Sequence, residues 1–179
     1  MIRLFAALEV PADIGEGLAR RQQGLPGARW SPQDNLHITL RFFGEVDEAV
    51  AADLDAELAK VSAPPFELAL QGAGAFGEGH QLGALWAGVR ESEPLRVLAG
   101  RCEAAARRAG LKGEGRVWRP HVTLAYLRKT TDPARAAAWI AGHNLLASPP
   151  WRVHRFGLYS SWRSSEGSRY ELERDYPLR

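Results

Sequence analysis

Two short blocks of this sequence carry nearly the same residues in the same order. They are His37-Ile38-Thr39-Leu40 and His121-Val122-Thr123-Leu124, and their histidines lie 84 positions apart. The chain has only five histidines and four threonines, so two occurrences of a threonine two residues after a histidine are rarely produced by chance. In a β-strand, residues i and i+2 point to the same face. Each block therefore presents one imidazole and one hydroxyl side by side, with aliphatic neighbours on the other face.

Two imidazoles with two hydroxyls suit acid–base chemistry on a phosphate. An unperturbed imidazole pKa of about 6.5 allows one histidine to be neutral and the other protonated near pH 7. Threonine hydroxyls donate to non-bridging phosphate oxygens and stabilise developing charge. We therefore predict that His37 and His121 are catalytic and that Thr39 and Thr123 bind the substrate.

Two other interpretations of the histidines carry less weight. A single histidine on a strand is more often a hydrogen-bonded structural residue, but the duplication argues against this for the pair. A metal held by His37 and His121 would need a third ligand, and neither His-x-His nor His-Glu-x-x-His occurs. We therefore expect no metal and no other cofactor, and we expect His80, His143 and His154 to lie outside the site.

The composition is typical of an ordinary globular protein. Its 179 residues, 45% hydrophobic and 25% charged, predict one domain over residues 1–179 with two lobes. A net charge of +2 is too small to indicate nucleic acid, although twenty of the 23 basic residues are arginines. Arginine suits phosphate, but a GC-rich genome produces the same bias. The lone Cys102 allows no internal disulfide, and no apolar run is long enough to cross a membrane, so we expect a cytoplasmic protein.

Hydrophobic periodicity predicts strands interrupted by single helices. The predicted strands cover 2–9, 36–43, 66–71, 85–89, 117–127, 151–162 and 169–174, and the predicted helices cover about 12–18, 47–61, 95–105 and 133–141. This order favours an α+β fold with antiparallel sheets over a doubly wound parallel sheet. Because each half holds one histidine strand, we expect two pseudo-symmetric lobes with a central cleft. Strict alternation places Arg41 on the face of His37, and it places Tyr126 opposite His121.

The paired blocks resemble the signature of the two-histidine (2H) phosphoesterase superfamily. Within it, the chain is similar to the RNA 2′,3′-cyclic phosphodiesterases, also called 2′-5′ RNA ligases (the ThpR/LigT family). The resemblance covers almost the whole length. The similar segments are Arg3–Leu8 with Pro11, Asn35–Val46, Arg119–Leu124, Leu158–Ser161, Gly167–Tyr170 and Pro177-Leu178.

The resemblance implies a hydrolase that opens RNA 2′,3′-cyclic phosphate ends to 2′-phosphates without metal, with reversible 2′-5′ ligation as a further expectation. It implies His121 as the base toward water and His37 as the acid toward the leaving 3′-oxygen. The implied partners are RNA ends or nucleotide cyclic phosphates, bound by a monomer. Two alternatives remain: a phosphodiesterase for a small cyclic nucleotide or a 2′-5′ linkage, and an RNA-end-binding module with little turnover.

The sequence departs from the family pattern at one position. The family usually has an arginine five residues after the second histidine, where it contacts phosphate, but this chain has Tyr126. A tyrosine donates one hydrogen bond and carries no charge at pH 7. We expect Arg128 to take the phosphate contact through a shifted strand irregularity, with Arg41 and Arg119 as other candidates.

Overall fold

The computed structural model describes residues 1–179 and contains ten strands and four α-helices. The strands are β1 (Ile2–Glu9), β2 (Ala28–Trp30), β3 (His37–Val46), β4 (Phe66–Leu68), β5 (Leu70–Phe76), β6 (Ala84–Val89), β7 (His121–Leu127), β8 (Trp151–Val153), β9 (Arg155–Ser164) and β10 (Gly167–Pro177). The helices are α1 (Ala12–Ala19), α2 (Glu48–Leu58), α3 (Glu93–Arg108) and α4 (Pro133–Gly142).

Eight of the strands form one sheet in the order β10-β9-β1-β3-β7-β6-β5, with β2 also paired to β7. Strands β4 and β8 form a separate pair. All of these pairings are antiparallel. The predicted α+β class, built mainly on antiparallel sheet, is confirmed.

The two histidine strands, β3 and β7, are neighbours in the middle of the sheet. They pair at Ile38 and Val122, which are the second residues of the two duplicated blocks. Equivalent residues of two antiparallel strands lie directly opposite each other when an approximate two-fold axis passes between them. The duplication in the sequence therefore corresponds to a local two-fold relation at the centre of the sheet.

Three of the four helices begin at a side chain that accepts a hydrogen bond from one of their first free backbone amides. Asp47 accepts from the backbone amide of Val50 at 2.9 Å at the start of α2, and Asp132 accepts from that of Ala134 at 3.0 Å at the start of α4. Ser92 caps α3 in the same way. Helices α2 and α3 pack against each other and against β1 and β3, and α4 contacts β5. The apolar faces of these elements form the core, which leaves the His37 and His121 side chains on the face of the sheet away from the helices.

Most predicted elements are present, but several bounds differ. Strand β2 was not predicted, because three residues are too few to show a periodicity. Strand β7 begins at His121, and the four residues before it form no regular structure. No helix is both long and apolar enough to cross a membrane.

The glycine-rich stretch after residue 71 is also more regular than predicted. Strand β5 continues through it to Phe76, and Gly74 pairs with Trp86 of β6. A Cβ on Gly74 would clash with the Trp86 indole, so the missing side chain at this position makes room for the ring.

Candidate active site

The structure brings the four predicted polar residues of β3 and β7 together on one face of the sheet. With Ile38 opposite Val122, the antiparallel register places His37 across from Thr123 and Thr39 across from His121. Each imidazole is therefore flanked by the threonine of its own strand and by the threonine of the other. Such a cluster can hold a phosphate from two sides.

Equivalent hydrogen bonds fix the tautomer of both imidazoles. His37 Nδ1 donates to the carbonyl oxygen of Asn35 at 2.6 Å, and His121 Nδ1 donates to that of Arg119 at 2.7 Å. Because a carbonyl oxygen only accepts, the proton of each neutral ring is on Nδ1. The Nε2 atom of each ring is then the one that can take up or release a proton.

The two histidines differ in what their Nε2 atoms contact. His37 Nε2 lies 2.9 Å from Thr39 Oγ1. With the His37 proton on Nδ1, the Thr39 hydroxyl is the donor in this bond. The lone pair of His37 Nε2 is therefore engaged by the Thr39 hydroxyl in this structure.

Burial favours the neutral form of both rings. Desolvation lowers the pKa of His37 from 6.5 to about 4; the Asn35 carbonyl opposes this shift, and the nearby His121 adds to it. Desolvation also lowers the pKa of His121, opposed by the Arg119 carbonyl. The effect of His121 on His37 shows that the two imidazoles are electrostatically coupled.

Aromatic rings surround the His37 imidazole and account for its desolvation. Phe5, which is buried on the cleft face of β1, has its ring centroid 5.0 Å from that of His37. The Tyr170 ring meets His37 edge-on at 5.3 Å, and Phe42 and Tyr159 each stack on Phe5 at 5.5 Å. These aromatic residues were not predicted as part of the site, because their packing around His37 depends on which strands lie next to β1.

Phe76 packs in the same way near the second histidine. Its ring lies 4.7 Å from that of His121, nearly perpendicular to it, and 5.7 Å from that of Trp86. Both histidines therefore have one side against aromatic rings, which limits the orientations that the imidazoles can take.

Two β-bulges follow the His-x-Thr units at equivalent positions. In the β1–β3 pairing, Ala7 lies opposite Thr39 and Ala6 opposite Arg41, so Leu40 is an extra residue. In the β6–β7 pairing the register shifts in the same way, and the extra residue is Leu124. An extra residue reverses the face to which the following side chains point.

The bulge in β3 makes the prediction for Arg41 wrong. Arg41 lies on the helix side of the sheet, where only 8% of it is exposed. Its guanidinium forms an ion pair with Glu103 of α3 and donates to the carbonyl oxygens of Phe42 and, at 2.7 Å, of Lys112. Arg41 is therefore part of the packing between β3 and α3 and does not share the His37 face.

The bulge in β7 reverses the prediction for Tyr126 as well. Ala125 is buried in the core, while Tyr126 is 47% exposed on the side of the sheet that carries His121. The guanidinium of Arg29 lies over its ring, 5.6 Å from the centroid. Tyr126 thus keeps the position that the family arginine would occupy, with a different arginine beside it.

The other two candidate arginines lie next to the site. Arg128 follows the last residue of β7 and is exposed, and its backbone amide donates to the carbonyl oxygen of Gly27 at 3.2 Å. Its role in phosphate binding stays a prediction. Arg119 contributes its carbonyl oxygen to His121. No group of three His, Cys, Asp or Glu side chains is arranged to hold a metal ion.

Comparison with known proteins identifies the family. The sequence model of the 2′-5′ RNA ligase superfamily matches residues 10–164. The chain is 30% identical over 131 residues to the RNA 2′,3′-cyclic phosphodiesterase of Archaeoglobus fulgidus, a match that covers 72% of this chain and 74% of the relative. It is 33% identical over 126 residues to the Escherichia coli K12 protein of the same name, covering 68% and 70% of the two chains.

Solved structures agree with the sequence matches over the full length. The fold superposes on E. coli LigT in complex with 3′-AMP with a TM-score of 0.79 at 27% identity, covering 99% of this chain and 98% of that one. It superposes on TT0787 of Thermus thermophilus with a TM-score of 0.80 at 26% identity and the same coverage. The resemblance that the two blocks predicted is confirmed: the chain belongs to the 2′-5′ RNA ligase superfamily.

Proposed function

We propose that this protein hydrolyses the 2′,3′-cyclic phosphate ends of RNA to 2′-phosphates by two-histidine acid–base catalysis. The observation that carries the proposal is the pair of His/Thr units related by a local two-fold, with the Nδ1 proton of each ring held by a backbone carbonyl so that Nε2 is the atom that exchanges protons. The names of the A. fulgidus and E. coli relatives support the substrate class. E. coli LigT has also been solved with 3′-AMP and with phosphate, which fits a site for a nucleotide phosphate.

The reaction needs one proton removed and one supplied. One imidazole accepts a proton from water through Nε2 as the water oxygen bonds to phosphorus. The bond between phosphorus and the 3′-oxygen breaks, and the other imidazole donates its Nε2 proton to that oxygen. The Thr39 and Thr123 hydroxyls donate to the non-bridging oxygens, which carry the developing charge.

The resemblance assigns the acid role to His37, and the low pKa of this residue bears on that assignment. A ring with a pKa of about 4 is neutral in the free protein near pH 7. The cyclic phosphate is an anion, and an opposite charge next to an imidazole raises its pKa. We propose that substrate binding itself protonates His37 and prepares it to act as the acid, while His121 remains the base.

Turnover on two substrates tests the proposed function. We expect the purified protein to convert both a 2′,3′-cyclic mononucleotide and an RNA oligonucleotide with a 2′,3′-cyclic end into 2′-phosphates, identified by phosphorus NMR. Hydrolysis of the mononucleotide but not of the RNA would favour the small-nucleotide alternative. RNA-end binding without product would favour the binding module.

Metal removal should leave the rate unchanged. Both proton transfers are assigned to imidazoles, and the phosphate contacts are assigned to hydroxyls and arginine. We expect the rate after exhaustive treatment with EDTA to stay within about twofold of the untreated rate. Loss of activity with EDTA that zinc or manganese restores would contradict the prediction.

The pH dependence should be bell-shaped, with a maximum of kcat/KM on the acid side of neutrality. One ring must be neutral and the other protonated, and kcat/KM reports the free protein. Burial lowers the pKa of both histidines below 6.5, and it lowers that of His37 to about 4. We therefore expect the maximum of kcat/KM to lie between about pH 4 and pH 6.5. The kcat profile should lie at higher pH, because the bound anion raises both pKa values.

Stability must be followed in the same pH range, because the same burial affects folding. The unfolded chain binds a proton at each histidine below about pH 6.5, while folded His37 stays neutral to about pH 4. Stability from this residue is therefore present above 6.5 and decreases as the pH falls toward 4. Circular dichroism at each pH separates this loss from catalysis, and a kcat/KM maximum above about pH 7.5 in folded protein would contradict the assignment.

A further inference from the structure

Strand β2 places an arginine beside the cleft at a position that the sequence pattern did not indicate. Strand β3 pairs with β7 at Ile38 and Val122, and further along β7 the short strand β2 pairs with it. In this pairing Arg29 lies directly opposite Tyr126. Opposite residues of an antiparallel pair point to the same face, so Arg29 shares the cleft face with Tyr126.

Hydrogen bonds from distant residues hold the bulge that turns Tyr126 toward this face. The carbonyl oxygen of Leu124, the extra residue, accepts from the backbone amide of Ser31 and from Gln22 Nε2, each at 2.9 Å. Gln22 Nε2 also donates to the Ser31 carbonyl oxygen at 2.8 Å. Residues before and after β2 are thereby tied to the bulge, so the positions of Arg29 and Tyr126 are set together.

The Arg29 guanidinium has no carboxylate partner. It forms none of the ion pairs of the structure, and it lies over the face of the Tyr126 ring, 5.6 Å from the centroid. A guanidinium that lies over an aromatic face keeps its in-plane N–H groups free, and these match phosphate oxygens in geometry. Arg29 is therefore oriented and charged, and its donors are unused.

Tyr126 lies at the end of the cleft that holds Thr123. It is the next residue of β7 after Thr123 whose side chain is on the cleft face, because Leu124 is the extra residue of the bulge and Ala125 is buried in the core. Arg29, which lies opposite Tyr126, therefore borders the same end of the cleft.

We propose that Arg29 contacts the substrate phosphate in place of the arginine that the family carries at position 126, and that Tyr126 orients it. Arg29 of β2 supplies the positive charge, and the ring of Tyr126, at the position of the family arginine, packs against its guanidinium. The inference rests on the proposed function, since it names the phosphate of that substrate. It replaces Arg128 with Arg29 as the residue that compensates for the departure from the family pattern.

Single variants separate Arg29 from the other candidates. We expect Arg29→Ala to lower kcat/KM on a 2′,3′-cyclic mononucleotide by about 10- to 100-fold, the usual effect of losing a charge-assisted contact. The inhibition constant for inorganic phosphate should rise in parallel. Arg135→Ala, which removes an exposed arginine on α4, is the matched control and should change neither value.

A relocated arginine distinguishes phosphate binding from a structural role. Tyr126→Arg restores the family residue, so adding it to Arg29→Ala should recover most of the lost kcat/KM and phosphate affinity. Loss without recovery, at unchanged phosphate affinity, would show that the pair is structural and would overturn the proposal. Loss in Arg128→Ala with none in Arg29→Ala would overturn it in favour of Arg128.

Calorimetric titration with inorganic phosphate keeps this proposal separable from the proposed function. If the unaltered protein binds phosphate through Arg29 but turns over neither cyclic substrate, the proposed hydrolysis fails and the phosphate site remains. If the protein hydrolyses the cyclic substrates and Arg29→Ala affects neither turnover nor phosphate binding, the hydrolysis stands and the role of Arg29 is wrong.

Discussion

Replacement of either histidine by alanine should reduce kcat/KM on cyclic-phosphate RNA at least a hundredfold. Positioned acid or base catalysis contributes about 10²- to 10⁴-fold, and both Nε2 atoms are held for proton transfer by their Nδ1 bonds. In the proposed mechanism each histidine carries out one of the two proton transfers of the reaction, so His37→Ala and His121→Ala each remove one of them. We therefore expect the double variant to be little slower than either single variant, because groups that act as a unit are strongly non-additive.

His154→Ala is the matched control for these variants. His154 is an exposed histidine between β8 and β9, and its removal should leave the rate unchanged. Near-normal rates in folded His37→Ala or His121→Ala, checked by circular dichroism, would rule out the two-histidine mechanism. Equal losses in all three variants would indicate a general effect on the fold.

Arg41→Ala should reduce stability strongly while leaving catalysis almost unchanged. The variant removes the buried partner of Glu103 and donors to two backbone carbonyls. Breaking a buried pair by removing one partner costs about 3–5 kcal/mol. Glu103 is 25% exposed and keeps Arg107 as a partner, so we expect a loss of about 2–4 kcal/mol in the free energy of unfolding.

Urea denaturation and kcat/KM, measured on the same samples, test this expectation. Arg107→Ala is the control, because Arg107 pairs with the same Glu103 carboxylate but has a side chain that is 65% exposed. Its removal should lower the free energy of unfolding by less than about 1 kcal/mol. We expect kcat/KM of Arg41→Ala to stay within about threefold of normal. A hundredfold loss at unchanged stability would instead mean that Arg41 contacts the substrate.

The sequence predicted most of the fold, because the period of the apolar residues in a long segment indicates whether it forms a helix or a strand. The helical spacing of apolar residues indicated α2 and α3, and Asp132 followed by Pro133 indicated the start of α4. Strands with four or more alternating residues were also found. Strand β2 was missed because three residues are too few to show a hydrophobic period. It forms because β3 pairs with β7 only near Val122, which leaves residues 125–127 of β7 free to pair with β2.

The parts of the candidate site that lie within a single strand were predictable from the sequence. His37 with Thr39, and His121 with Thr123, share a face through the two-residue repeat of a strand, and no bulge lies between them. Their duplication then implied two facing strands. The single domain, the monomeric state, the cytoplasmic location and the reverse ligation stay predictions.

The sequence by itself determined which side chains are the candidates for the chemistry, since their types and their two-residue spacing are local properties of the chain. Only the tertiary structure decided which arginine accompanies them. The extra residue Leu40 in β3 sends Arg41 to the helix side, and the extra residue Leu124 in β7 turns Tyr126 toward Arg29. A bulge is set by the register with the partner strand and by hydrogen bonds such as that from Gln22 to Leu124, 102 residues apart. No alternation pattern within a single strand contains that information.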